Sequence, residues 1–423
     1  HSVDLWMKNS GLIIDCDEKK NALRNLFKNS KVAFIYGAAG TGKSTMINYI
    51  SSLFKDKQKI FLANTNPAVE NLRRKVTAEH AEFVTITKFL SKDVSNDCDI
   101  LCLDECSTIS NRDMVRVLQR AQCKLLVLVG DIYQIESILF GNWFNIAYKV
   151  MPKDSVAELT RPHRTTVQGL IEVWNKVREI TEDRLEFITR NGLSSTLDES
   201  IFSRTEEDEI VLCLNYDGIY GINNINKFLQ SNNVNPSINW GVLSYKVGDP
   251  VLFNESNRFA PLVYNNLKGK ILQIEEEEDC IYFTIEVYTV LNELDVIGFD
   301  LELKESVTDE TSVIRFKVGR GGDGNDDNDN VENVVPFQVA YAISIHKAQG
   351  LEYESVKVVI TSEIEEMVSH NIFYTAITRA KSKLKIYWSP ETEKRILENM
   401  KVQFNDKDYQ LFKAKYKEAL LKS

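Results

Sequence analysis

The run Gly37-Ala38-Ala39-Gly40-Thr41-Gly42-Lys43-Ser44 carries glycines, a lysine and a hydroxyl at the spacing GxxxxGK[ST]. Residues of these types at this spacing bind phosphate. Glycines let backbone N–H groups turn inward onto phosphate oxygens. Lys43 brings a point charge to the β- and γ-phosphates, and the Ser44 hydroxyl ligates Mg²⁺. A helix starting at Ser44 adds the positive end of its dipole. Gly37, Gly40, Thr41, Gly42, Lys43, Ser44 and Thr45 are the expected nucleotide-holding set. About 60 residues further on, Ile100-Leu101-Cys102-Leu103 ends in Asp104-Glu105. Asp104 is placed to hold the metal and Glu105 to polarise an attacking water. The evenly spaced Cys98, Cys102 and Cys106 have no histidine nearby, which favours buried strand cysteines over a metal site.

The elements that must position these groups are visible as short apolar runs. KVAFIY (31–36), KIFLAN (59–64), DILCLD (99–104) and KLLVLVG (124–130) alternate with helical patterns such as STMINYISSLF and NPAVENLRRKV. Continuous apolar strands between helices predict a parallel sheet covered on both faces. DEIVLCLNY (208–216), FQVAYAIS (337–344), SVKVVIT (355–361) and KLKIYW (383–388) begin a second series. The segment 249–334 instead alternates β-branched and aromatic residues between Gly and Asn, which predicts a small antiparallel barrel or sheet. The expected class is α/β, with domains at 7–150, 151–248 continued by 335–423, and an insertion at 249–334. The last part ends in a basic helix.

Composition excludes some alternatives. The chain has 423 residues, 43% hydrophobic and 26% charged, with formal charge −10, so a uniformly basic nucleic-acid-coating protein is ruled out. Glu275, Glu276, Glu277, Glu278 and Asp279, with Asp323, Asp326, Asp327, Asp329 and Glu332, equal that whole excess. The acidity therefore belongs to the insertion, and a nucleic-acid strand is expected to run elsewhere. Seven sparse cysteines suit a reducing, cytoplasmic setting. No apolar run reaches the ~18 residues of a membrane span, so no membrane partner is expected. Positions 1–6 are set aside from fold reasoning. The lysine-rich end, Lys413-Ala414-Lys415-Tyr416-Lys417, suits one part of a longer protein, with a fused domain or protein partner.

Beyond the two phosphate-site motifs, several others follow in order. They are Ala63-Asn64-Thr65-Asn66-Pro67-Ala68, Thr85-Ile86-Thr87-Lys88-Phe89-Leu90, Gly130-Asp131-Ile132-Tyr133-Gln134 and Leu159-Thr160-Arg161-Pro162-His163-Arg164. Gly248-Asp249-Pro250-Val251 and Asn265-Asn266-Leu267-Lys268-Gly269 flank the start of the insertion. The segments 341–352, with His346-Lys347-Ala348-Gln349-Gly350, and 374–381, with Thr378-Arg379, complete the set. Over residues 30–390 this order resembles superfamily 1 helicases, most closely the RecD-like branch, superfamily 1B. The resemblance implies two RecA-like domains around a cleft, with ATP and Mg²⁺ as cofactors. It implies Gln134 as γ-phosphate sensor, and Arg164 and Arg379 as arginines reaching the γ-phosphate from the second domain. Gly350 and Glu352 join the nucleotide set. Thr65, Pro67, Thr87, Ser344 and His346 are implied to carry a single strand, DNA in preference to RNA, moving 5′ to 3′. An RNA helicase and a nucleic-acid-gated ATPase switch remain as alternatives.

The chain also departs from that pattern. Lys19 stands where the family has an adenine-reading Gln, which implies weak base discrimination. Only the eight residues from Ser91 to Cys98 separate the second motif from the strand that carries Asp104. That is too short for a strand-separating hairpin. Phe140, Trp143 and Phe144, which follow Gln134, suit core packing better than an aromatic wall along a strand.

Overall fold

The computed structural model describes residues 4–5, 8, 14, 16–27, 31–38, 40–91, 96–134, 142–163, 165–254, 258–260, 262–306, 308–320, 333–401 and 406–422. They form two compact units. One comprises His1–Phe187, Val368–Ser382 and Leu397–Ser423; the other comprises Ile188–Met367 and Lys383–Ile396.

The first unit is built on six strands: β1 (Val32–Gly37), β2 (Lys59–Ala63), β3 (Ala81–Thr85), β4 (Asp97–Leu103), β5 (Gln122–Gly130) and β6 (Val156–Leu159). Their order is β3-β2-β4-β5-β1-β6, and every pair is parallel. Parallel neighbours need crossovers, and helices α1 (Asp17–Leu26), α2 (Lys43–Leu53), α3 (Asn66–Lys75), α4 (Ile86–Leu90), α5 (Asn111–Arg120), α6 (Trp143–Val150) and α7 (Gln168–Glu179) accompany the strands. Because strand side chains alternate faces, each continuous apolar run feeds two cores. Ala33, Ile35, Val127 and Val129 pack on one side with Met46, Ile47 and Leu72. Phe34, Leu101, Leu103, Leu126 and Leu128 pack on the other with Val117 and Phe144. Phe34 stacks on Phe144 with ring centroids 4.5 Å apart, and burying each such side chain contributes ~2 kcal/mol. Phe144 is thus core, as its helical spacing suggests. Phe140 and the 92–95 part of the short connection lie outside the described residues. Cys98, Cys102 and Cys106 are buried free thiols.

The boundary expected at 150 does not match this division. Strand β6, expected in the second domain, pairs with β1 through Phe34↔Val156 to Gly37↔Leu159. Helix α7 also belongs to the first unit, and it holds α8 (His370–Ile377) there. Trp174 Nε1 donates to the Ile377 carbonyl at 3.0 Å, and His370 Nε2 meets the Val177 carbonyl at 2.7 Å. The C-terminal helix, α9 (Asp406–Lys422), also falls in this unit, where Asn142 Nδ2 donates to Asp408 at 2.8 Å.

The second unit has a sheet of β7 (Ser194–Ser195), β8 (Glu209–Cys213), β17 (Ala342–Ser344), β18 (Tyr353–Val359) and β19 (Ala380–Tyr387) in the order β17-β8-β18-β19-β7. The β17–β8, β18–β8 and β19–β7 pairs are parallel. The insertion starts earlier than expected, with the hairpin β9 (Ser237–Trp240) and β10 (Leu243–Lys246). It continues through β11 (Pro250–Phe253), β12 (Lys268–Glu276), β13 (Cys280–Val287), β14 (Glu302–Lys304), β15 (Ser312–Gly319) and β16 (Phe337–Val339). These six form an antiparallel sheet, β14-β15-β13-β12-β11-β16, bent by a register shift between Ile271 and Gln273. No pair joins β14 to β16 among the described residues, so of the barrel or sheet expected it is the open sheet that forms. The apolar run FQVAYAIS divides: Phe337–Val339 ends the inserted sheet and Ala342–Ser344 enters the parallel one. Glu275 and Glu276 are answered by Arg315 at 2.8 Å and Arg320 at 3.4 Å. The acids at 323–332 lie outside the described residues.

One buried carboxylate ties the insertion to its host sheet. Asp249 is 0% exposed. It accepts from Gln230 at 2.6 Å, Asn233 at 3.0 Å, the Lys246 N–H at 2.9 Å and the Tyr341 hydroxyl at 2.7 Å. Asp249→Ala strands all four donors, so we expect a loss of about 3 kcal/mol, seen in calorimetry as a melting temperature roughly 5 °C or more lower. An unchanged melting temperature contradicts this account of the junction.

Candidate nucleotide site

In a parallel sheet all strands end on the same edge, and groups that follow adjacent strands become neighbours. Strands β4, β5 and β1 are adjacent, so Asp104, Asp131 and the glycine loop meet at one carboxyl edge. Gly37 closes β1 where β6 comes nearest. A Cβ there would lie 2.5 Å from the Leu159 carbonyl oxygen and 2.7 Å from Thr41 Oγ1. Gly42 takes a left-handed φ of +82° and starts α2 without a side-chain cap. Thr65 and Ser110, by contrast, cap α3 and α5 through the N–H groups of Ala68 and Asp113. Leaving a helix N-terminus uncapped is what an incoming anion requires. Thr41 is fully buried and donates to the Ala38 carbonyl at 2.9 Å. Lys43 Nζ donates to the carbonyls of Gly37 and Ala38, each at 2.8 Å. Ser44 and Thr45 lie in the first turn of α2.

Three carboxylates share this edge. Burial pushes Asp104 above the usual range, while the Glu105 N–H, 2.8 Å from Oδ1, and the Lys43 ammonium pull it back. Glu105 adopts a left-handed φ of +51°, uncommon for a residue with a Cβ. Burial and the neighbouring Asp104 push it up to about 7, opposed by Arg379, Lys75 and Lys43. Asp131 is 3% exposed and accepts the Tyr133 N–H at 3.0 Å on Oδ1, while Oδ2 has no partner among the described residues. Burial raises it too, against Lys43 and Arg379. Sequence reasoning quoted Asp131 without assigning it a role. The signal was available, since it directly follows an apolar strand as Asp104 does.

Arg379 corrects an expectation. It lies in the same unit as the glycine loop, not in the second. It is 1% exposed and donates from Nε to the Thr375 carbonyl at 3.0 Å and from Nη2 to Thr378 Oγ1 at 3.2 Å. Helix α8 carries it there because that helix packs on α7. Arg164 lies outside the described residues, although its flanks belong to the first unit as well. Gln134 is half-buried beyond β5.

Helix α1 makes contacts that the sequence reading did not give. Glu18 Oε1 accepts from Thr160 N–H at 2.8 Å and from its hydroxyl at 2.6 Å. Lys19 Nζ lies 3.2 Å from His163 Nε2, and the His163 N–H donates to the Gly40 carbonyl at 2.6 Å. The first turn of α1, the 160–163 turn and the glycine loop are thereby fastened together.

Ser44 and Asp104 form a hard-oxygen pair suited to Mg²⁺, which keeps waters and phosphate oxygens as its remaining ligands. No group of three or more His, Cys, Asp or Glu that could hold a metal occurs among the described residues. Thr65 and Thr87 follow β2 and β3, whose last residues pair as Ala63↔Thr85, so both exposed hydroxyls sit on the same edge. The backbone of Pro67 lies in the first turn of α3. Ser344, His346, Gly350 and Glu352 belong to the second unit. There Ser344 Oγ accepts the Lys347 N–H at 3.1 Å, His346 is exposed, and the Glu352 carbonyl accepts from Lys268 at 3.0 Å. No helix among the described residues is long and apolar enough to cross a membrane.

Comparison with known proteins bears on the family and the fold. The AAA domain family matches residues 16–198, and the UvrD-like helicase C-terminal domain family matches 339–387. The protein MJ1519 of Methanocaldococcus jannaschii is 24% identical over 448 residues, covering 87% of this chain and 37% of that protein. The RecBCD enzyme subunit RecD of Buchnera aphidicola subsp. Schizaphis graminum is 23% identical, covering 92% and 78%. The crystal structure of a Pif1 helicase from Bacteroides with ADP-AlF3 and ssDNA superposes with a TM-score of 0.56 at 16% identity, covering 96% of this chain and 98% of that one. That likeness shows the fold, two RecA-like parallel-sheet domains. The matched families, the RecD relatives and the shared fold support a superfamily 1 helicase of the RecD- and Pif1-like kind.

Proposed function

We propose that the chain hydrolyses ATP at the carboxyl edge of its first sheet and uses the turnover to move along single-stranded DNA from 5′ to 3′. The observation that carries the reading is the set of three carboxylates, Asp131 buried and Asp104 and Glu105 half-buried, opposed by Lys43 and Arg379 beside the uncapped N-terminus of α2. That is the arrangement needed to bind a triphosphate and ionise a water next to it.

Each residue has a stated part. The loop amides, Lys43 and Thr45 hold the phosphates, and Mg²⁺ at Ser44 and Asp104 supplies charge neutralisation when bound. Glu105, tuned to about 7, accepts the proton of the attacking water. Arg379 and Arg164 answer the γ-phosphate, and Gln134 reports its presence. Asp131 holds the Tyr133 amide and so positions the Gln134 loop. The family resemblance adds Gly350 and Glu352 to the nucleotide-binding set. Thr65, Pro67, Thr87, Ser344 and His346 contact the strand, mainly through its backbone. DNA, the polarity and a protein partner rest on the likeness to proteins named as RecD subunits and Pif1 helicases.

Two measurements test this. ATP turnover of the whole chain is expected to rise with single-stranded DNA more than with RNA homopolymers, and Lys43→Ala to reduce it by about 10²-fold or more. Stimulation by RNA alone transfers the reading to an RNA helicase, and unaffected turnover in Lys43→Ala removes the site assignment. The second follows from Glu105, which works only when ionised. Its ionised fraction grows as pH rises through about 7, so kcat/KM is expected to climb over that interval. Glu105→Gln should lower kcat by roughly 10²–10⁴-fold and abolish the climb. A wild-type profile flat from pH 6 to 8 excludes Glu105 as the base.

A further inference from the structure

Lys19 is a buried cation to which the hydrolytic reading gives no part. It is 3% exposed, and among the described residues the ammonium has one hydrogen-bond partner, His163 Nε2 at 3.2 Å. An ammonium offers three donors and no acceptor. Enclosing it with a single ring nitrogen is costly unless an anion answers the charge. The adjacent Glu18 does not do so, because its carboxylate is taken by Thr160 and the Arg161 N–H. Nor does Lys19 balance the catalytic carboxylates. The cations that act on Asp104, Glu105 and Asp131 include Lys43, and Lys19 is not among them.

Its position indicates which anion is missing. Lys19 Nζ lies against the last glycine of the phosphate loop, where a Cβ on Gly42 would meet it at 2.6 Å and His163 Cδ2 at 3.4 Å. The elements carrying both partners of this pair are fastened to the glycine loop and its neighbour. Glu18 anchors the first turn of α1 to Thr160, and His163 is fixed by its N–H to the Gly40 carbonyl at 2.6 Å.

We propose that Lys19, held by His163, is a second phosphate-binding cation of the nucleotide site. It donates to non-bridging oxygens on the α- or β-phosphate of the bound nucleoside triphosphate, while Lys43 serves the β- and γ-phosphates. This rests on the glycine loop being a nucleotide site. An ammonium engaged with phosphate reads no base edge, so the site takes nucleoside triphosphates whatever their base.

The test uses the whole chain, inorganic tripolyphosphate and the four nucleoside triphosphates, with wild type, Lys19→Met, Lys19→Arg and His163→Ala. Calorimetric binding of tripolyphosphate is expected to weaken about tenfold in Lys19→Met, less in His163→Ala, and to be largely restored in Lys19→Arg. KM for ATP, GTP, CTP and UTP should agree within about threefold in wild type and rise by a common factor in Lys19→Met. Ligand-free Lys19→Met should melt at the wild-type temperature or above, because it loses an unanswered buried charge. A structural role would instead lower that temperature and leave tripolyphosphate binding intact. Equal tripolyphosphate affinity in wild type and Lys19→Met, or a wild-type KM for one base far below the others, overturns this proposal while leaving the hydrolytic site standing. A wild type that binds neither tripolyphosphate nor any nucleotide overturns both.

Discussion

The rest of the structure depends on a crowding of like charge. Asp104, Glu105 and Asp131 are held together at the end of a sheet, in surroundings that raise all three carboxyl groups. Left alone, three such groups would take up protons or spread apart. They do neither because each is fixed to a rigid element. Asp104 and Asp131 follow adjacent buried strands whose register is set by paired backbone hydrogen bonds. Glu105 is held at a backbone angle that only a firmly anchored turn tolerates. Lys43 and Arg379 supply the opposing charge. Cations therefore face the place where the proposed nucleotide would bring its phosphate charge, and burial with the neighbouring Asp104 pushes Glu105 up to about 7.

The same constraint explains why so much of this was legible in the sequence. A phosphate loop needs contiguous residues, and its strand is a continuous apolar run because both faces are covered. Gly37 to Ser44 and Asp104-Glu105 could be read directly for that reason. Contacts between distant residues were less accessible. Lys19 and His163 are 144 positions apart, and neither residue type at its own position announces the other. Arg379 was assigned to the second unit because motif order says nothing about packing. Its actual place follows from the fit of α8 on α7 through Trp174 and Val177. Asp131 was quoted without a role, although it follows an apolar strand as Asp104 does; its burial marks it out.

The insertion shows the limits of pattern reading in another way. Alternating residues in 249–334 identified antiparallel strands correctly, but not where they begin or end. The hairpin at Ser237–Lys246 contributes Trp240 and Tyr245 to the same core as Phe283 and Phe337. The run 337–344 reads as one strand because apolar side chains continue across the point where the chain leaves one sheet for another. Asp249 stands at that crossing, linking Tyr341 to the start of β11. A polar residue inside an otherwise apolar junction was the clue to the change of sheet. The acidic excess is also partly structural, since Glu275 and Glu276 pair with arginines on the neighbouring side of the sheet.

On the proposed function, the cations facing Asp104, Glu105 and Asp131 are those that stabilise the transferring phosphoryl group. The most direct measurement compares binding of ADP and of ADP–aluminium fluoride to wild type and Arg379→Ala. The account predicts that Arg379→Ala weakens ADP–aluminium fluoride by about 100-fold while changing ADP affinity little. Equal weakening of both ligands, or of neither, contradicts it.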